Sequence, residues 1–269
     1  MLFRSMGTIL SEIAAKTKER IEHRKREVPV LLLKERIAER AGEKEPFLFE
    51  KNLKQPGLSF ICEVKKASPS KGVILETFPY LDIAREYEKA GASAISCLTE
   101  PFYFQGSDVF LEEIAGKVKL PVLRKDFTVD PYMIYEAKAM RADAVLLICA
   151  ILREEELMEY LELAEQLGLS ALVEAHSEEE VEMAKQCRAR VIGVNNRDLH
   201  TFQVDLETSI RMRDLVPPET VYVSESGIRN PEDVRLLREN GTDAILIGET
   251  LMRATDKRKA LDVLRGKHR

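Results

Sequence analysis

Short apolar runs alternate with amphipathic stretches through most of this 269-residue chain, starting after Pro56 and Gly57. The apolar runs occupy residues 60–64, 94–98, 121–123, 144–148, 171–173, 191–194, 220–223 and 244–247. Stretches with helical spacing lie between them, as at residues 81–90, 131–140, 154–167, 178–187 and 231–239. The runs are continuous rather than alternating, which indicates strands buried on both faces of a parallel sheet.

The number and spacing of these units select the architecture. Eight strand-helix units, about 26 residues apart, predict an α/β protein with a closed (β/α)8 TIM barrel. Glycines that end helices before the next strand, at Gly91, Gly168 and Gly241, fit this repeat. The alternative is an open sheet of the nucleotide-binding kind, but the chain lacks both the GxGxxG turn and the GxxxxGK phosphate loop. We therefore expect the barrel.

The beginning of the chain follows a different pattern. Apolar positions at helical spacing predict a helix over residues 8–26, and Pro29 is suited to the first turn of a second helix. We expect a single domain in which an N-terminal helical extension (1–57) precedes the barrel (58–269).

Composition and charge disfavour several classes of protein. With 41 Lys and Arg against 46 Asp and Glu, the formal charge is −5, so we expect no nucleic-acid partner. The longest apolar run, residues 144–152, is far shorter than the roughly 20 residues of a membrane-spanning helix, so we expect no membrane partner. The cysteines lie far apart and the first residues carry no export signal, which predicts buried reduced thiols and a cytoplasmic protein. The histidines form no spaced pair, so we expect no metal.

In a (β/α)8 barrel, reactive groups project from the carboxyl ends of the strands. The polar residues and glycines at these positions are Glu63, Lys65, Thr99, Glu100, Lys125, Asp126, Glu174, Asn195, Arg197, Glu225, Ser226, Gly248 and Glu249. Glu63 and Lys65 are two apart on one strand and point the same way, so the carboxylate can orient the ammonium. We expect Lys125 and Glu174, after the third and fifth strands, at opposite ends of one small substrate, where they donate and remove protons.

Two loops and one basic segment suggest how a phosphorylated ligand is held. Loops after the seventh and eighth strands of such barrels often bind phosphate through backbone N–H groups. Here these loops contain Gly227 and Gly248, which allow close backbone approach. Residues 66–72 are small, polar and basic, and predict a mobile lid over the mouth of the barrel.

Aromatic side chains and one histidine also lie just past strand ends. Phe102, Phe104 and Phe127 are candidates for a slot that holds an aromatic ring. His176 follows Glu174, and we interpret it as a loop histidine with a local hydrogen bond.

Five motifs, each at a strand end, are specific enough to indicate a protein family. They are CEVKKASPSKG (62–72), LRKDF (123–127), LVEAH (172–176), GVNNRDL (193–199) and SESGI (224–228), with LIGE (246–249) closing the barrel. Together they closely resemble the motifs of the indole-3-glycerol-phosphate synthase family. The resemblance covers nearly the whole chain, including the helical extension that this family carries ahead of its barrel.

This resemblance implies that the chain is a lyase that closes an indole ring. The implied reaction converts 1-(2-carboxyphenylamino)-1-deoxyribulose 5-phosphate, a small phosphorylated aromatic amine, to indole-3-glycerol phosphate. Carbon dioxide and water are lost, and the step belongs to tryptophan biosynthesis. No cofactor or metal is implied, and we expect a monomer or a weak homodimer.

The resemblance also implies roles for residues in the matching motifs. Lys125 is implied to protonate the substrate carbonyl, and Glu174 to stabilise the cationic intermediate or to move a proton during dehydration. Lys65, oriented by Glu63, is implied to contact the phosphate or the ribulose hydroxyls, or to act as the second acid. The other implied substrate contacts are Asn195, Ser226, Arg197 and Glu225 for polar groups, backbone N–H groups of Gly227, Gly248 and Glu249 for the phosphate, and Ser68, Phe104 and Phe127 for the anthranilate ring.

Two other functions stay open at this point. A phosphoribosyl isomerase needs one acid/base pair at adjacent carbons, commonly a Cys or Asp with an Asp, and it could dispense with the Lys-Glu pairs seen here. A barrel that only binds a phosphorylated ligand needs the phosphate loops but not Lys125. The presence of Glu63, Lys65, Lys125 and Glu174 together argues against both.

Overall fold

The computed structural model describes residues 9–198 and 201–267, and it contains the predicted closed parallel barrel. The barrel strands are β1 (Ser59–Val64), β2 (Ala94–Leu98), β3 (Val122–Lys125), β4 (Ala144–Ile148), β5 (Ser170–Ala175), β6 (Val191–Asn195), β7 (Val221–Glu225) and β8 (Ala244–Ile247). Consecutive strands pair in parallel, and β8 pairs with β1 through Ala244 and Ser59 to close the barrel. The predicted strands are confirmed, with ends within two residues of the prediction.

Three of the described helices precede the barrel, and the others follow its strands around the outside. In the described residues they are α1 (Ile9–Glu27), α2 (Val30–Glu39), α3 (Leu48–Leu53), α4 (Tyr80–Lys89), α5 (Asp108–Lys117), α6 (Pro131–Ala139), α7 (Glu154–Gln166), α8 (Glu178–Gln186), α9 (Glu207–Met212), α10 (Pro231–Glu239), α11 (Glu249–Arg253) and α12 (Lys257–Leu264). None of the helices in this part of the chain is long and apolar enough to cross a membrane. Thr8, where the pattern predicts that α1 begins, lies outside the described residues, as do His200 and His268.

Glycines end several helices as the sequence predicts. Gly91, Gly168 and Gly241 have φ angles of +78°, +67° and +77°. These values lie in the left-handed region, which glycine adopts without the steric cost of a side chain. Each glycine therefore lets the chain leave its helix and turn toward the next strand.

Side chains along each strand alternate between two cores. On β1, Cys62 and Val64 pack outward against the surrounding helices, whereas Ile61 packs into the barrel interior. Positions two apart on a strand share a face, so Glu63 also points inward, one layer nearer to the mouth. The interior also contains Leu123, Leu146, Leu172, Val191, Val223 and Leu246. All four cysteines are buried, as predicted, and no disulfide joins them in the described residues.

The helices of the N-terminal extension pack against both ends of the barrel. Helix α3 inserts Phe49 into the interior from the amino end of the strands. Helix α1 crosses the carboxyl end, where Leu10 and Ile13 join the interior core. Arg20 on α1 donates hydrogen bonds of 2.9 Å to both carboxylate oxygens of Asp126, which directly follows β3. The extension thus forms part of the mouth of the barrel.

The predicted lid contains a short antiparallel pair of strands. Ala67–Ser68 pairs with Gly72–Val73, and the backbone N–H of Ala67 donates to the carbonyl of Phe104 at 3.2 Å. This contact ties the lid to the loop that follows β2. Ser68 is buried within this hairpin.

Candidate active site

A cavity of about 750 Å³ opens at the carboxyl ends of the barrel strands. The residues that line it include all those to which the family resemblance assigns a role: Glu63, Lys65, Ser68, Phe104, Lys125, Phe127, Glu174, Asn195, Arg197, Glu225, Ser226, Gly227, Gly248 and Glu249. These positions span most of the sequence, and the parallel barrel gathers them because all its strands end at the same mouth.

Four charged side chains form one layer across the floor of the cavity. Glu63, Lys125, Glu174 and Glu225 come from β1, β3, β5 and β7, and in such barrels one layer is built from alternate strands. Lys125 Nζ lies 2.8 Å from Glu174 Oε2 and 2.6 Å from Glu225 Oε2. Lys125 and Glu174 are therefore paired, rather than at opposite ends of a substrate as the sequence suggested, because alternate strands bring their ends to one level.

Burial and mutual charge shift the pKa values in this layer. Burial opposes the charged form of Lys125, but the carboxylates of Glu174, Glu225 and Glu63 raise its pKa well above the usual range. Burial also favours neutral Glu174, but Lys125 and the hydrogen bonds that it accepts lower its pKa to about 2. Burial and the neighbouring Glu174 charge raise the pKa of Glu225 to about 7, although Lys125 opposes this. The ammonium thus stays charged, with Glu174 as its ionised partner.

Neighbouring charges and hydrogen bonds both differ at the two carboxylates. His176 lowers the pKa of Glu174, whereas Glu174 and Glu63 raise the pKa of Glu225. Glu174 Oε1 accepts a hydrogen bond of 3.3 Å from Asn195 Nδ2, in addition to the bond from Lys125 to its other oxygen. Glu225 Oε1 has no hydrogen-bond partner among the described residues. It lies against Gly193, where even an added Cβ would overlap it. Fewer donors stabilise the charge of Glu225, so its pKa rises while that of Glu174 falls.

Glu63 and Lys65 form the predicted ion pair on β1. Their side chains are 6% and 16% exposed, so the pair faces the cavity and not bulk solvent. At Gly248 a Cβ would overlap both the Glu63 carboxylate and the Lys65 ammonium. An alanine at position 248 would therefore have to displace this ion pair, independently of any contact with phosphate.

The rim near β7 and β8 combines strained backbone with basic side chains. Ser226 and Gly227 have φ angles of +68° and +89°, and the side chain of Asn196 supports this turn by donating to the carbonyl of Ser226 at 3.0 Å. Lys71, Arg197, Arg229 and Arg253 also line the cavity. This end of the cavity suits an anionic group because N–H donors and guanidinium groups surround it.

The opposite side of the cavity is apolar. The rings of Phe104 and Phe127 lie 6.2 Å apart with an interplanar angle of 40°. Leu10 and Ile13 of α1 complete this wall. The wall offers an apolar surface against which a flat aromatic ring can pack.

Three candidate residues that follow β2 do not line the cavity: Thr99, Glu100 and Phe102. Phe102 is 60% exposed and does not line the cavity, so its assignment to the aromatic slot is wrong. The Glu100 carboxylate accepts hydrogen bonds of 2.7–3.0 Å from the backbone N–H groups of Phe102, Tyr103 and Phe104. It holds the loop that presents Phe104. The hydroxyl of Thr99 donates to Asp126, which also binds Arg20, so that site anchors α1.

Comparison with known proteins decides the family. The family model of indole-3-glycerol phosphate synthase matches residues 10–264. The indole-3-glycerol phosphate synthase of Ruminiclostridium cellulolyticum is 56% identical over 96% of this chain and 99% of its own length. That of Lachnoclostridium phytofermentans is 48% identical over 93% of this chain and 96% of its own length. The chain belongs to the indole-3-glycerol phosphate synthase family.

Solved structures with little sequence identity share the fold of this family member. 3-Hexulose-6-phosphate synthase from Salmonella typhimurium superposes with a TM-score of 0.63 at 14% identity, covering 78% of this chain and 100% of that one. Thiamine phosphate pyrophosphorylase from Pyrococcus furiosus gives 0.61 at 21% identity, covering 78% and 94%. At these identities the comparison shows the barrel alone.

Sequence reasoning missed several residues that surround the indole-3-glycerol phosphate synthase motifs. Leu10 and Ile13 carry the helical period that predicts a buried face, but the period does not say what covers it. Arg229 and Arg253 lie a few residues beyond the strand ends, outside the positions that the barrel rule selects. His176 lies 3.3 Å from Glu174, closer to the charged layer than a loop histidine needs to be.

The residues present do not suggest a metal centre. Within the described ranges, no three His, Cys, Asp or Glu side chains are grouped in a way that could hold a metal ion. The carboxylates of the charged layer instead surround the Lys125 ammonium. That lysine is thus the principal positive group on the cavity floor.

Proposed function

We propose that this protein is an indole-3-glycerol phosphate synthase and that it acts on 1-(2-carboxyphenylamino)-1-deoxyribulose 5-phosphate. Membership of the family and the high identity to curated relatives over nearly their full length support this activity. The products are indole-3-glycerol phosphate, carbon dioxide and water. The charged Lys125 at the floor of the cavity is the observation that carries the proposal, because ring closure needs an acid at the substrate carbonyl.

Lys125 acts as the general acid of ring closure. As the ring carbon that bears the carboxylate attacks the carbonyl carbon, Lys125 donates a proton to the carbonyl oxygen. Departure of carbon dioxide then restores the aromatic ring. Glu174, 2.8 Å from Lys125 and hydrogen-bonded to Asn195, is placed to stabilise the positive charge of the intermediates and to accept the proton that leaves in dehydration.

Lys65 supplies the second proton. Loss of the hydroxyl as water needs another acid, and Lys65 is held charged and oriented by Glu63 in the same cavity. Glu225 keeps Lys125 in position through its 2.6 Å hydrogen bond.

The substrate lies with its phosphate at the basic rim and its aromatic ring at the apolar wall. Backbone N–H groups of Gly227, Gly248 and Glu249 bind the phosphate, with Arg229 and Arg253 nearby. The ring packs against Phe104, Phe127 and Ser68. Asn195, Ser226 and Arg197 contact its hydroxyl and carboxylate groups.

The same features support inferences about the domain organisation, the oligomeric state and the location of the enzyme. We infer a single domain, since α1 both lines the cavity and is bound to the barrel through Arg20 and Asp126. We infer a monomer or a weak homodimer, because the charged layer and the cavity are built from one chain. Buried reduced thiols support a cytoplasmic location.

The test is direct turnover. The purified protein is given the carboxyphenylamino-deoxyribulose phosphate, and indole absorbance and released carbon dioxide are followed together. We expect one carbon dioxide for each indole formed. An isomerase would produce neither signal, and a barrel that only binds phosphorylated ligands would bind the substrate without consuming it.

A further inference from the structure

His176 lies directly behind the charged layer, between two carboxylates. Its Nε2 atom is 3.3 Å from Glu174 Oε1, and its Nδ1 atom is 3.5 Å from Glu180 Oε2. Glu180 is near the start of α8, and its side chain is 19% exposed, against 5% for Glu174. The three side chains therefore form a continuous line from the cavity floor to the protein surface.

The imidazole lies between these carboxylates without a hydrogen bond to either of them. Neither ring nitrogen is aligned for a hydrogen bond in the described residues. The backbone is fixed instead, because the His176 N–H donates to Glu180 Oε2 at 2.8 Å. Because the backbone is fixed, only a small rotation of the ring is needed to align a nitrogen with one carboxylate or the other. Hydrogen bonds in active sites often shorten and align when substrate binds.

Carboxylates on three neighbouring elements favour a protonated ring. Glu174 on β5, Glu180 on α8 and Glu225 on β7 face it, and the Cys149 thiol contacts the backbone carbonyl of Glu180 at 3.6 Å. Burial lowers the pKa of His176, but the three carboxylates outweigh burial and raise it above its ordinary value. The carboxylates around the ring thus favour its protonated form.

The proposed reaction consumes one proton per turnover. The carbonyl oxygen leaves as water, which takes two protons from the enzyme, and the methylene carbon beside the nitrogen returns one. The substrate carboxylate leaves as carbon dioxide and returns none. The enzyme is therefore one proton short at the end of each cycle and must recover it from solvent.

We propose that His176 relays this proton from Glu180, at the surface, to Glu174 and Lys125. The inference rests on the proposed function, since only that reaction fixes the proton balance. Once Lys125 has given its proton away, Glu174 loses the positive charge that favours its ionised form. Glu174 then accepts a proton from His176 Nε2 and passes it to Lys125, while His176 recovers one at Nδ1 through Glu180. Glu174 is then ionised again when it accepts the methylene proton in dehydration, and the water that forms carries this proton to Lys65, so that both lysines end the cycle charged. His176 touches no substrate atom, so it is a positioning residue that acts through Glu174.

The experiment compares the first turnover with later ones in His176→Gln, mixed rapidly with saturating substrate. Gln keeps an amide near the Nε2 position but cannot carry a proton. We expect one equivalent of indole per enzyme at close to the wild-type rate, followed by steady turnover at least about tenfold slower with little change in KM. Imidazole added at constant pH and ionic strength should speed the slow phase. His23→Gln, on the exposed face of α1, is the matched control and should behave as wild type.

Each outcome of this experiment supports or overturns the proposed proton relay. A variant with wild-type steady turnover overturns it, and so does a variant whose first turnover is slowed and does not respond to imidazole, because that pattern indicates disturbed packing around Glu174. If His176→Gln does not fold, Glu180→Gln tests the outer step and should show a smaller, buffer-sensitive loss. Inactive wild-type protein overturns the proposed function itself, whereas active wild type beside an unaffected variant overturns the relay alone.

Discussion

Lys125 and Glu225 are 100 positions apart in the chain, yet Lys125 Nζ donates a hydrogen bond to Glu225 Oε2 at 2.6 Å. The contact exists because β3 and β7 are both odd-numbered strands of one barrel, and alternate strands contribute to the same layer. Glu225 is thus part of the charged layer, in addition to lining the substrate cavity.

The raised pKa of Glu225 predicts how its replacement changes stability with pH. The pKa of this carboxyl is about 7 in the folded protein against an ordinary value of 4.5. Between these pH values the unfolded chain is ionised while the folded one holds a proton, so Glu225 costs wild type stability as pH rises. Glu225→Gln removes that cost. We expect the stability of the variant relative to wild type to increase from pH 4.5 to 7 and then level off.

Chemical denaturation at several pH values measures this difference. A gap between the two proteins that stays constant across the range would show that Glu225 titrates normally. Wild-type unfolding at each pH serves as the reference, because the other titrating groups are common to both proteins.

Gly193 leaves room for the Glu225 carboxylate beside Lys125. A Cβ at this position would overlap Glu225 Oε1 and approach Leu172 Cδ1 within 3.0 Å. We expect Gly193→Ala to displace the Glu225 carboxylate from Lys125, to lower turnover at least about tenfold and to destabilise the fold by about 1–3 kcal/mol. Gly116→Ala on α5 is the control, since its Cβ would meet only Arg141 Nη1 at 3.8 Å. Full activity in both variants would show that a Cβ at position 193 does not displace the Glu225 carboxylate from Lys125.

The pair of Arg20 and Asp126 predicts a link between α1 and substrate binding. The carboxylate is fully buried and Arg20 is 20% exposed, so solvent screens the pair little. We expect Arg20→Met to cost about 1.5–3 kcal/mol of unfolding free energy. We also expect a raised KM, because α1 carries Leu10 and Ile13 of the cavity wall.

The matched substitution for this test is Arg235→Met. Arg235 pairs with Glu239 on the exposed face of α10, with both side chains at least 60% exposed. Such surface pairs contribute little, so we expect no measurable change in stability or KM. Equal effects of the two substitutions would mean that the α1 contact has no special role.

The barrel and most residues that line its cavity were predictable from the sequence. The ion pairing among those residues was not. Continuous apolar runs predict the strands, and the strand-end rule selects the residues that line the cavity. The pairing of Lys125 with Glu174 depends on which strand ends reach the same level, and the apolar pattern carries no information on strand stagger. Likewise, Glu100 and Glu174 look alike in sequence, but one accepts backbone N–H groups of a loop and the other faces the cavity.

The central claim is that the Lys125 ammonium is the acid of ring closure, and steady-state kinetics of Lys125→Met test it most directly. Met keeps an unbranched side chain but has no proton to donate. With substrate binding and the unfolding midpoint measured alongside, we predict that kcat/KM falls by at least about 100-fold in a variant that still folds and binds substrate. A folded variant whose kcat/KM stays within a few-fold of wild type would contradict the account.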